Sequence, residues 1–202
     1  MQTAHRFGAV AVRAMSTFTK PPVAVIGMLK NGTRVEVVRP NETHRQALVS
    51  FAKRPGTMAD TMKRPEEAHA VADDYLWNAR SPKHDALVAV VGSDVVGVTE
   101  IDPDVHEMEP PKDESFLQAC GMQPSEVCVA QTLVSPTWRN LGVGSVLKLG
   151  QAEAARNLGY RAVATCGGVQ QIAPRVGGTM QAGEFGGWTL VPTDTQPKGK
   201  NS

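Results

Sequence analysis

The run Val134-Ser135-Pro136-Thr137-Trp138-Arg139-Asn140-Leu141-Gly142-Val143-Gly144-Ser145 sets one proline, one arginine and two glycines between an apolar stretch and an amphipathic one. That combination suits phosphate. Without a Cβ at Gly142 and Gly144, the backbone N–H groups of a first helical turn can close on phosphate oxygens, and the helix dipole adds to the attraction. Arg139 stands where its guanidinium can clamp the same oxygens through paired, charge-assisted hydrogen bonds. A diphosphate is the ligand class that such a cradle fits.

Two elements must hold the cradle. Upstream, Val127-Cys128-Val129-Ala130-Gln131-Thr132-Leu133-Val134 is nearly continuous apolar, as in a strand covered on both faces. Downstream, Val143, Val146, Leu147, Gly150, Ala154 and Leu158 follow helical spacing, the pattern assigns Lys148, Gln151 and Arg156 to the opposite face, and Gly159 ends the run. Two familiar phosphate loops do not match. The Gly-Lys-Ser/Thr ending of triphosphate loops is missing, and so are the third glycine and distal acidic residue of the dinucleotide fingerprint, since the next strand reads Ala162-Val163-Ala164-Thr165-Cys166. The pattern V-x-P-x-x-R-x-x-G-V-G instead resembles the coenzyme A signature of the GNAT superfamily of acyl-CoA-dependent N-acyltransferases.

The remainder of the chain is read from periodicity and turn chemistry. Residues 23–29 and 34–39 flank Asn31-Gly32 as a hairpin. Residues 42–53 and 66–79 carry helical stripes separated by Pro55-Gly56, with Tyr75 and Trp77 as core or rim aromatics. Residues 86–91 and 95–101 form a second hairpin, and a polar loop over 102–124 includes a short helix at 114–119. A strand over 161–166, a weak helix over 169–176, a glycine-rich stretch over 177–187 and a closing strand over 188–191 complete the order. This order is similar to the GNAT plan over residues 23–192, an α/β fold with a mixed, α+β-like sheet and splayed central strands. Residues 1–22 are then a basic N-terminal extension and 193–202 a flexible tail.

The resemblance implies roles for particular residues. The signature strand and the strand after it should part, with the pantetheine arm of acetyl-CoA, the co-substrate, lying in the gap. Backbone amides near Leu133 and Val134 would face the thioester carbonyl as oxyanion donors. Arg139 and the amides of Asn140, Leu141, Gly142, Val143, Gly144 and Ser145 would hold the pyrophosphate. Direct attack by an amine needs a general base. Some relatives carry a glutamate at the position of Cys128; here Glu126, two residues earlier and on the same strand face by alternation, and Glu100, near the end of the preceding strand, are the two choices. The tyrosine that reprotonates the thiolate in many relatives has no counterpart between Gly167 and Ser202. Tyr160 reads as a packing residue, Cys166 as a structural thiol, and water as the proton source.

Composition narrows the partners. Twenty-one basic against twenty acidic side chains give no general pull toward nucleic acid or acidic membranes, and no apolar stretch is long enough to span a bilayer. Cys120, Cys128 and Cys166 are odd in number and lack C-x-x-C spacing, which points away from a disulfide framework or a metal site and toward a reducing compartment. The cytoplasm is expected, or the mitochondrion if the acid-free first twenty residues are a transit segment. Glu100, Asp102, Asp104, Glu107, Glu109, Asp113 and Glu114 fall close together with Lys112 the lone base among them, so a cationic acceptor is favoured; His106 is expected to be exposed. The expected activity is acetyl transfer from acetyl-CoA to a primary amine, whether a small cationic amine, a lysine or a protein N-terminus. The alternative is a catalytically degenerate CoA-binding or interaction module.

Overall fold

The computed structural model describes residues 19–62, 64–103, 121–165, 179–180 and 189–194. The expected helices at 114–119 and 169–176, most of the acidic loop including His106, Cys120 and Cys166, the glycine-rich stretch apart from 179–180, and both termini lie outside the described residues.

The chain opens with β1 (Ala24–Met28) and β2 (Arg34–Val38), joined as the Asn31-Gly32 signal predicts, with Gly32 at φ 80°. A 3-10 turn at Glu42–His44, capped by the Asn41 side chain, leads into α1 (Arg45–Ala52). The expected first helix therefore begins as a tighter turn. Next come α2 (Glu67–Arg80) and the hairpin of β3 (Asp85–Val91) and β4 (Asp94–Asp102), turned at Gly92 with φ 62°. β5 (Val127–Val134), α3 (Val143–Asn157) and β6 (Ala162–Thr165) form the one parallel crossover among the described residues. β7 (Thr179–Met180) and β8 (Thr189–Pro192) finish an eight-stranded sheet of order β1-β2-β3-β4-β5-β6-β8-β7, antiparallel elsewhere. β7 is a strand that periodicity did not show.

The helices cover opposite faces of this sheet. Leu48, Phe51, Ala72 and Leu76 from α1 and α2 pack with Val88, Val95 and Val98, while Val143, Val146 and Leu147 from α3 pack with Val35, Val37, Leu87 and Cys128. Strand sequences such as Ala86-Leu87-Val88-Ala89 are apolar at successive positions because both faces are buried. At one end of β3, Asp85 is 0 % exposed and accepts the Arg39 fork, Nε at 2.9 Å and Nη2 at 2.6 Å, with Lys20 Nζ at 3.1 Å. Lys20, placed by the sequence in a loose extension, is thus pinned to the domain. Its burial holds the ammonium below the usual lysine range against the pull of Asp85.

α3 lies close to the sheet at Gly150, where an added methyl would sit 2.7 Å from Val37 Cγ1 and 3.1 Å from Leu87 Cδ1. Alanine is a better helix former than glycine by about 1 kcal/mol. Overpacking a filled core costs about 1–3 kcal/mol, and a β-branched valine on a central strand has few rotamers with which to yield. Gly150→Ala is therefore expected to lower unfolding free energy by about 1 kcal/mol in urea titrations, and an unchanged or raised midpoint would show that α3 can lift without penalty.

Candidate functional site

β5 and β6 stay together for three residue pairs, Val127↔Ala162, Cys128↔Val163 and Val129↔Ala164. β5 then continues beside β4 as far as Gly97↔Val134 with no further partner on its β6 side among the described residues. The β6 side of residues 130–134, which meets no strand among the described residues, is the split considered as a candidate site. Which backbone groups face it follows from strand alternation. Arg161 N–H donates to the Glu126 carbonyl on the β6 side at 2.8 Å, and Ser135 N–H donates to Val96 on the β4 side at 2.9 Å. Even-numbered residues of β5 therefore direct their backbone groups toward β6 and odd-numbered ones toward β4. Val134 directs its backbone groups away from β4, toward the split. Leu133 does not: its N–H turns to β4, and Thr132, which the sequence reading passed over, takes the split side.

Below the split the chain enters the cradle. Pro136–Trp138 form a 3-10 turn, Asn140 adopts φ 62° and Gly142 φ 110°, and α3 begins at Val143 with no side chain capping its N-terminus. The amides of a first helical turn have no intrahelical acceptors, so an uncapped start is open to an anion. Gly142 is required for its left-handed backbone rather than for space, because an added Cβ would meet only Leu29 Cδ2, at 3.9 Å. Lys30 N–H holds the Leu141 carbonyl at 2.9 Å, tying the first hairpin to the turn. Arg139 is exposed, and its Nε and Nη2 donate to the carbonyls of Val134 (3.0 Å) and Gly56 (2.5 Å). Gly56, at φ 74°, sits so close to Pro136 that a Cβ would fall 2.5 Å from the proline Cγ. The loop between α1 and α2 is thus closed down onto the signature turn.

The two carboxylates chosen as bases have different surroundings. Glu126 ends a 3-10 turn before β5 rather than lying on a strand face, and its carboxylate accepts from Arg161 Nη1 at 2.6 Å and from Gln123 N–H at 2.8 Å. Those bonds hold it below the usual carboxylate range. A paired, acidic carboxylate at the closed end of β5 is poorly suited to take a proton. Glu100 lies opposite Gln131, beside the split-forming part of β5, and accepts from Asn78 Nδ2 at 3.3 Å. Burial raises its pKa, Asn78 opposes this, and the charges of Asp74 and Asp102 raise it further. Tyr75, buried beneath it, is pushed well above the ordinary phenol range by burial first and by Glu100 second. Tyr160 packs against the α3-side core, as expected of a packing residue.

Lys148 and Gln151 overturn their assignment to the solvent face of α3, being 2 % and 1 % exposed, whereas Arg156 is exposed as read. Lys148 Nζ donates to Thr132 Oγ1 at 3.1 Å and Thr165 Oγ1 at 2.7 Å; Gln151 Nε2 donates to Thr132 Oγ1 at 2.8 Å and also contacts Thr99 Oγ1. The threonines on three strands are the signal that was available: polar residues inside apolar strands need partners. Among the described residues no group of three or more His, Cys, Asp or Glu could hold a metal, and no helix is long and apolar enough to cross a membrane.

No family model and no curated protein matches the chain. Solved structures do. The GNAT domain of S. lividans PAT superposes with TM-score 0.57 at 18 % identity, covering 83 % of this chain and 94 % of its own. The yncA protein of Salmonella typhimurium, in a structure with its cofactor acetyl-CoA, gives 0.52 at 12 % identity over 83 % and 99 %. Mycobacterium smegmatis RimJ, in complex with CoA-disulfide, gives 0.51 at 11 % identity over 87 % of both chains. The chain has the GNAT acyltransferase fold.

The raised pKa of Glu100 carries a stability consequence. The folded chain binds the carboxyl proton more tightly than the unfolded one, so this group favours folding fully below about pH 4.5, and the contribution is lost as pH rises through the folded value. Glu100→Gln keeps the oxygen that accepts from Asn78. It is expected to raise Tm at neutral pH, with the gain disappearing below about pH 4.5 in calorimetric scans; a lower Tm at neutral pH would show that the surroundings favour the carboxylate.

Proposed function

We propose that the chain is an N-acetyltransferase that transfers the acetyl group of acetyl-CoA to a primary amine by direct attack. The observation that carries this reading is the continuity of the site: a strand split with inward-facing backbone groups opens beside an uncapped helix N-terminus reached through two left-handed residues. A diphosphate bearing a long amide-containing arm matches that shape and donor set. The first-turn amides of α3 and the remaining donors of Arg139 would bind the pyrophosphate, with Asn140 and Leu141 shaping the turn between them. The N–H of Val134, facing the split, would support the arm or the thioester oxygen, where a fixed donor lowers the barrier to attack.

Glu100 is the base in this proposal. Its buried carboxyl titrates above the usual range, which makes it a better proton acceptor than Glu126, and its position against β5 sets it beside the split. Asp74 and Asp102 add negative charge around it, so the acceptor is cationic in its resting form and neutral when it attacks. Glu126 is assigned to holding β5 and Arg161 together.

Calorimetric titration of wild type with CoA tests the cofactor half, and a folded sample that shows no binding would refute it. Arg139→Ala should weaken that binding about tenfold to a hundredfold, the worth of one or two charge-assisted hydrogen bonds. Glu100→Gln should bind CoA normally, yet lower turnover with acetyl-CoA and an amine panel by about a hundredfold to ten-thousandfold. The deficit should shrink as pH rises and the amine deprotonates unaided. Equal activity of the two proteins across pH would remove Glu100 from the mechanism; CoA binding with no thiol release from any amine would make the chain a binding module.

A further inference from the structure

The lysine that ties the segment before β1 to the domain also reaches the surroundings of Glu100. The Lys20 side chain is 4 % exposed. Its ammonium has three donors and meets three acceptors: the Asn78 carbonyl at 3.1 Å, the Asp85 carboxylate at 3.1 Å and the His84 carbonyl. Asn78 lies in the last turn of α2, where carbonyls lack helical donors and a lysine suits both the free lone pairs and the dipole; Ser81 N–H shares the same carbonyl at 3.2 Å. The side chains of the two residues held this way turn to β4. Asn78 Nδ2 donates to Glu100 Oε1 at 3.3 Å, and His84 Nε2 stands 3.8 Å from Asp102 Oδ1. Lys20 is itself fixed, because Arg39 binds Asp85 through its fork and donates from Nη1 to the carbonyl of Pro21.

We infer that Lys20 is a positioning residue for Glu100: by fixing the last turn of α2 against the start of β3, it holds the Asn78 amide on the carboxylate that takes the amine proton. This rests on the reading of Glu100 as the base and adds what sets its geometry. The last turn of a helix frays most readily, and a bond of 3.3 Å is at the long end of the N–H···O range, so a small outward shift of α2 ends it. Lys20 closes that turn from 58 residues away in sequence. With Oε1 occupied by the amide, Oε2 is the oxygen left to receive the proton.

The charges around Glu100 give this bond a measurable signature. Burial pushes the carboxyl up, as do Asp74 on α2 and Asp102 on β4, while the Asn78 amide pulls it down. Tyr75, also on α2, stays protonated near neutrality, and the cross-strand neighbours are Ala86 on β3 and Gln131 on β5. His84 faces Asp102, and Lys20 faces Asp85. Loss of the amide bond removes the opposing contribution, so Glu100 gains its proton at higher pH. A base must be unprotonated, and the acid limb of turnover therefore moves up.

The test is a double-mutant cycle read by the pH profile of turnover, with acetyl-CoA and the best amine of a panel, at a temperature where every variant is folded. Lys20→Met releases the end of α2, and Asn78→Ala removes the amide. Each should move the acid limb to higher pH and lower neutral-pH turnover by about threefold to thirtyfold. Because both act through one bond, Lys20→Met should cost less than about twofold more once Asn78 is alanine. CoA affinity should stay within about threefold of wild type throughout, since the cradle on α3 is elsewhere. Additive losses, or a Lys20→Met protein with the wild-type acid limb, would overturn the inference and leave Lys20 as a structural tie for Asp85. If Lys20→Met does not fold, Lys20→Met combined with Asp85→Asn, which strands no carboxylate, decides by the same criteria. Wild-type turnover in Glu100→Gln would remove the base and this inference with it, whereas its loss beside an unmoved limb in Lys20→Met overturns this inference alone.

Discussion

Among the described residues the β5–β6 ladder ends after Val129 and Ala164, and the proposed site is built on that end. Parallel pairing, once begun, would ordinarily continue, because each unpaired backbone group removed from water costs free energy comparable to a lost hydrogen bond. Among the described residues, β5 runs five residues further with β4 as its strand partner. The even-numbered residues beyond Val129 direct their N–H and C=O groups to the side away from β4. A polar arm lying in the plane of the sheet would meet them in extended form, as an added strand does. On the α3 face, Lys148, Gln151 and the three threonines occupy the region where continuous apolar packing would otherwise draw the strands together.

The cradle depends on contacts far away in sequence. Lys30 on the first hairpin holds Leu141, Leu29 packs toward Gly142, and Gly56 in the loop between the first two helices presses on Pro136. Arg139 connects that loop to the end of β5 by donating to the carbonyls of both Gly56 and Val134. A guanidinium has five donors in a planar fork, so it can keep these carbonyls and still present N–H groups to an oxyanion. In the proposed site, phosphate binding and the closure of that loop would share one side chain.

Buried charge is used in two ways. Asp85 is wholly enclosed and compensated by Arg39 and Lys20, a cluster whose net stabilisation is small but whose disruption would strand a carboxylate in the core. It fastens the start of β3 to the end of β2 and to the segment before β1. Lys148 donates to two threonine hydroxyls among its contacts, and Glu100 accepts from one amide with two like charges acting on it. Both side chains lie on or against the strands that flank the proposed site.

Most of the element order could be read from the chain alone, since each strand and helix carries its own periodicity and its own turn chemistry. β5 spans the apolar run from Val127 to Val134, both hairpins turn at their glycines, and the proline, arginine and glycines of the signature stand where a strand meets a helix. Such features are local, and local sterics decide them. What tertiary structure alone decided concerns which neighbour a residue meets. Period-two reasoning put Glu126 on a strand face, but a capping turn and Arg161 claim it. Leu133 and Val134 are adjacent in sequence yet face different strands, which only the register with β4 reveals. Lys148 and Gln151 looked like the wet side of an amphipathic helix, because a helical wheel records the angle around one axis and not the second surface brought against it. Threonines on β4, β5 and β6 turn that side into a buried polar seam, and their convergence exists only once three strands and a helix distant in sequence are packed together.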